Sequence, residues 1–103
     1  MVSFGICEGN PGALQFVLEA YKRAPAYAEK AFQRMQNHGI TGAKLYMLWN
    51  DCCGRNINNA LLAMRYFPIT ELNYRINYEG GMGRPITEAE VVEAFNQHGS
   101  KEV

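Results

Sequence analysis

Apolar positions recur with a helical period along almost the whole chain. Leu14, Val17, Leu18 and Tyr21 fall at i, i+3, i+4 and i+7, the spacing of one helix face. Asn10 and Pro11 stand where an N-cap and a first helical residue belong, so a helix is predicted over about 11–23. Ala24-Pro25 interrupts it, and Pro25 suits the first turn of the next helix. Ala28, Ala31, Phe32 and Met35 repeat the stripe, and Gly39 stands after them as a helix terminator, giving a second helix over 25–38.

Leu45, Leu48, Trp49 and Cys52 form a third stripe that stops at Gly54. After Asn56, Ile57, Ala60, Leu61 and Met64 form a fourth, closed by Pro68. A shorter fifth helix, about 70–78, carries Leu72 and Ile76 on one face with Tyr74 and Tyr78 beside it. A sixth, about 88–98, presents Val91, Ala94, Phe95 and His98. His38 and His98 then fall at helix ends, where their role is to complement the dipole. Residues 2–7, VSFGIC, are the one stretch that leaves room for a short extended arm.

Three Ile-Thr pairs, Ile40-Thr41, Ile69-Thr70 and Ile86-Thr87, each precede a predicted helix. In each, Thr can cap while Ile staples onto an apolar residue one turn in, namely Leu45, Tyr74 or Val91. Glu90 completes a capping box with Thr87. The unequal spacing of the pairs makes them helix starts and not a repeat. The resulting fold class is all-α: one domain, a compact bundle of five to six short helices over residues 1–103.

Composition narrows the function. The chain has 48% hydrophobic and 19% charged residues, the balance of a globular domain. No apolar run approaches the roughly 20 residues of a membrane span, and Met1-Val2-Ser3-Phe4 shows no signal peptide. Ten basic residues balance ten acidic ones, which disfavours a general nucleic-acid ligand. That holds despite the interleaved arginines and aromatics of Arg65-Tyr66-Phe67 and Tyr74-Arg75. Charge is uneven locally. Residues 55–84 hold four arginines against two glutamates, and 85–103 hold four glutamates against one lysine. Three cysteines, Cys7, Cys52 and Cys53, are an odd set without a secretion signal, which points to reduced thiols and a cytoplasmic setting.

The chemistry suggested by KLYMLWNDCCGRN, residues 44–56, weakens on inspection. Adjacent cysteines diverge by about 100° on a helix, so Cys52 and Cys53 lack the C-x₂₋₄-C spacing of zinc ligands. No metal or other cofactor is expected. A nucleophilic thiolate is disfavoured by a helix C-terminus and by Asp51. Cys52 reads as core and Cys53 as partly exposed. The glycine loop YEGGMGRP, 78–85, resembles a phosphate cradle, yet Glu79, Glu88 and Glu90 already occupy the helix end that an anion needs.

The segments GITGAKLYMLWNDCC and INYEGGMGRP resemble those of a family of short helical proteins from gut bacteria, their phages and mobile elements. The resemblance covers residues 4–85, and the tail from Ile86 onward does not share it. It brings no catalytic residue. Small proteins of mobile elements often inhibit host defence, anti-CRISPR proteins among them, so the resemblance implies an inhibitor of a bacterial defence enzyme such as a CRISPR-Cas nuclease.

Read together, these features predict a non-enzymatic protein-binding module. Its contact surface is expected at residues left over once each stripe is given to the core: Tyr46, Asn50 and Cys53, with Arg55, Arg65 and Arg75. The alternative is a nucleotide or small-anion sponge built from Arg75, Gly80, Gly81 and Arg84. Either a monomer or a homo-oligomer is compatible with the sequence.

Overall fold

Capping residues set the helix boundaries. The Asn10 side chain accepts a hydrogen bond from the Ala13 N–H at 3.0 Å and Pro11 comes next, so α1 runs Pro11–Arg23. Pro25 opens α2, Pro25–Asn37, where His38 takes the C-cap position and Gly39 turns away at φ 74°. Asn56 caps α4, Ile57–Tyr66, through the Asn59 N–H. The Thr87–Glu90 capping box is complete: Glu90 N–H donates to Thr87 Oγ1, and Thr87 N–H donates to Glu90. It starts α6, Glu88–His98. A computed structural model describes residues 4–77 and 85–98 of the chain. Among these residues the fold is all-helical, without strands, and matches the expected bundle. None of these helices is long and apolar enough to cross a membrane.

The other two Ile-Thr pairs behave differently. Ile40 is buried, but the Thr41 hydroxyl bonds Glu8, and Gly42 takes the N-cap position of α3, Ala43–Met47. Helix α5, Ile69–Ile76, starts at the isoleucine itself, with Pro68 as its N-cap. Phe4–Cys7 forms a turn of 3₁₀ helix and not an extended arm. The Gly42 N–H donates to Ile6 O at 2.7 Å, tying this turn to the start of α3.

The α1 stripe is corrected. The buried face is Ala13, Phe16, Val17 and Ala20, while Leu14 and Leu18 are 38% and 50% exposed. Two helical stripes share Val17, and burying Phe16 selects the second. The Phe16 ring stacks on Trp49 at 5.1 Å and meets Phe32 edge-on at 5.2 Å. Ala13 and Ala20 beside it let the neighbouring helices come close. Elsewhere the expected stripes hold: Ala28, Ala31, Phe32 and Met35; Leu45, Leu48, Trp49 and Cys52; Ile57, Ala60, Leu61 and Met64; Leu72 and Ile76; Val91 and Ala94. Phe95 stays 44% exposed and lies edge-on to Tyr66.

Two arginines lock the bundle. Arg34 on α2 donates to Met64 O at 2.6 Å and Phe67 O at 2.7 Å, satisfying carbonyls at the α4 C-terminus. Arg75 on α5 is 6% exposed. It bonds Glu71 and Pro85 O at 2.7 Å each and pairs with Glu90. α5 is thereby joined to the start of α6.

Candidate functional site

Helix α3 does not continue as a regular helix through the cysteines. Leu48–Cys52 widens into a turn of π-helix, marked by the Cys53 N–H donating to Leu48 O at 3.0 Å. Such turns are rare and concentrate at functional sites. The extra residue rotates the chain beyond it by roughly 100° relative to a regular helix. The widened turn also leaves Cys52 O to accept from the Ile86 N–H at 2.7 Å, so the segment before α6 docks on it.

This rotation corrects the expectation for Cys53, which is buried at 6% and not partly exposed. Burial, and then the neighbouring Cys52, pushes its thiol up to about 12. Burial, and then Asp51, pushes the Cys52 thiol up to about 11. Both thiols are protonated at neutral pH, and nucleophilic chemistry needs the thiolate. Among the described residues no three His, Cys, Asp or Glu side chains gather as a metal-binding set.

After the π turn the backbone reverses through Gly54 at φ 56° and Arg55 at φ 62°. The second value is uncommon for a residue with a side chain. It returns the exposed Arg55 over the helix it has just left. Arg55 Nε donates to Asn50 Oδ1 at 2.7 Å, and Nη2 donates to Tyr46 Oη at 3.2 Å. The guanidinium carbon stands 5.5 Å from the centroid of the Trp49 ring. Asn50 in turn donates from Nδ2 to Asp51 Oδ1 at 2.8 Å. Tyr46 lies edge-on to Trp49, with centroids 6.4 Å apart, and its ring covers Gly12 of α1. A Cβ on Gly12 would lie 2.9 Å from Tyr46 Cγ and nearer still to Cδ2 and Cε2. The Trp49 indole N–H is buried and has no hydrogen-bond partner among the described residues.

Of the six residues expected to form a contact surface, Tyr46, Asn50 and Arg55 meet in one cluster. Cys53 lies in the core. Arg75 is withdrawn as well, because it is buried and bonded to Glu71, Glu90 and Pro85, and so lost to both the contact surface and the proposed sponge. Gly80, Gly81 and Arg84 of the sponge lie outside the described residues, as does Tyr78. Arg65 belongs to a different aromatic group: its guanidinium carbon is 4.3 Å from the Tyr27 ring centroid and 5.2 Å from that of Tyr66. Burial, with the Tyr66 hydroxyl next, holds the Tyr27 phenol well above its ordinary range. Gly12 and Trp49 are the positions that the expectation missed. A glycine in the first turn of α1 was the available sign of a close approach.

No family model matches the chain, and neither the curated proteins nor the solved structures contain a match to it.

Proposed function

We propose that this protein is a non-enzymatic protein-binding module whose contact surface centres on Tyr46, Asn50 and Arg55. The observation that carries this reading is the fixed Arg55 side chain. It is exposed, yet two hydrogen bonds and an aromatic face hold it in one orientation. Arginine, tyrosine and tryptophan dominate the binding energy of protein interfaces. Ordering such side chains before contact reduces the entropy lost on association. The finer reading, an inhibitor of a bacterial defence enzyme, rests on the resemblance to mobile-element proteins and refines only the partner.

Site-specific photo-crosslinking tests the surface. Tyr46→p-benzoylphenylalanine puts a probe in the cluster, and Gln33→p-benzoylphenylalanine puts one on the exposed side of α2. A single protein species captured from host lysate by the first probe and not by the second is the expected result. Equal capture from both positions, or from neither, would overturn the assignment.

A further inference from the structure

The geometry points to a carboxylate group of the partner protein as the ligand of Arg55. This rests on the proposed contact surface and names the chemistry that the surface recognises.

A guanidinium has five N–H donors arranged along two forked edges. In Arg55 the side edge is committed within the molecule, with Nε bonded to Asn50 and one Nη2 hydrogen bonded to Tyr46. The end edge, formed by Nη1 and the other Nη2 hydrogen, bonds none of the described residues. That edge presents two parallel donors, matching the two oxygens of a single carboxylate. Asn50, Tyr46 and the Trp49 face fix the plane in which the fork lies.

The backbone shows that the side chain at position 55 matters to the cluster. Glycine adopts a φ of 62° without strain, whereas a residue with a Cβ does not. Gly54 just before it is also left-handed, and a second glycine would close this turn at least as well. Arginine at position 55 therefore serves its side chain and not the turn. Glu8, the other non-glycine residue at positive φ among those described, also uses its side chain within the molecule, accepting from Thr41, whereas Arg55 keeps one donor edge beyond its internal bonds.

Asp51 is bonded to Asn50 next to Arg55, and its charge offsets part of the attraction of Arg55 for any anion. Of the anions that a guanidinium fork can take, the carboxylate is the one that protein surfaces carry in their own side chains.

The test monitors the Arg55 Nε–H and the Trp49 indole N–H by NMR, the latter unambiguous because the chain has one tryptophan. The probes are a blocked tetraglutamate peptide, its tetraglutamine counterpart and inorganic phosphate. The glutamate peptide should move both signals saturably, while the glutamine peptide leaves them in place and phosphate acts only at higher concentration. Arg55→Gly should weaken the peptide response at least about tenfold, the effect of losing charge-assisted hydrogen bonds, while melting no lower than the parent. Arg55→Lys, which keeps the charge and loses the fork, should also weaken it. An unchanged response in Arg55→Gly, no saturable shift, or phosphate binding as tightly as the peptide would each overturn the proposal. If the peptide fails while the probe at position 46 still captures its protein, the carboxylate assignment alone is lost and the contact surface stands.

Discussion

Gly12→Ala should destabilise this protein, although alanine is the better helix former. The new methyl would lie 2.9 Å from Tyr46 Cγ and closer to two further ring atoms, whereas carbon atoms rest about 3.5–4.0 Å apart. The ring must therefore retreat by roughly an ångström. This cannot be absorbed by a flexible tip, because the base of the ring is involved. Overpacking of this kind costs about 1–3 kcal/mol. The exchange of glycine for alanine in a helix returns about 0.5–1 kcal/mol. The net loss is then about 0–2.5 kcal/mol, centred a little above about 1 kcal/mol, a fall in Tm of several degrees for a domain of this size. In a Tyr46→Ala background the obstacle is gone, and the same Gly12→Ala change should stabilise by about 0.5–1 kcal/mol. Thermal and urea unfolding of the four proteins, monitored by circular dichroism, gives the coupling directly. Stabilisation of equal size in both backgrounds would refute the packing of Tyr46 on Gly12, and with it the geometry of the cluster.

Phe16→Ala should cost about 3–5 kcal/mol by opening a cavity, whereas Leu18→Ala should stay within about 0.5 kcal/mol; equilibrium unfolding of both variants checks which stripe of α1 is buried. The three thiols should react slowly with a thiol reagent in the native protein, because all three are buried and burial raises each of them. Three equivalents should react at once in urea, and a fast native thiol would contradict the burial of Cys53. The Arg75 guanidinium bonded to Glu90 holds its carboxyl below the ordinary value of 4.5. The lowered folded value means that this stability is present above the ordinary value and is lost as pH falls through the folded one. Urea midpoints between pH 7 and pH 3 should therefore decline less steeply in Glu90→Gln than in the parent.

The helices were legible because caps and stripes agree. Asn10-Pro11, Pro25, Gly39, Asn56 and Thr87-Glu90 mark boundaries by local hydrogen bonding and fixed dihedrals, which short sequence windows contain. The buried face of α1 was not legible, since Leu14-Leu18 and Phe16-Ala20 are both valid helical stripes. Only the tertiary stack of Phe16 on Trp49 decides between them. Of the site, Tyr46, Asn50 and Arg55 could be named as residues left over from the core. Their convergence depends on the π turn at Leu48–Cys52 and on the left-handed Arg55. A 3.6-residue period assumes neither, and the same assumption turned Cys53 outward. Arg75 resembled a free surface arginine because its carbonyl partner at Pro85 and its pairing with Glu90 are distant in sequence, ten and fifteen residues away.

The most direct test of the account is the affinity of the protein captured by the position-46 probe, measured by calorimetry for the parent and for Arg55→Gly. A central arginine in an interface is worth about 2 kcal/mol or more, so the variant should bind at least about thirtyfold more weakly while unfolding at the same temperature or higher. Affinities within about twofold of each other would mean that Arg55 is not part of the contact surface.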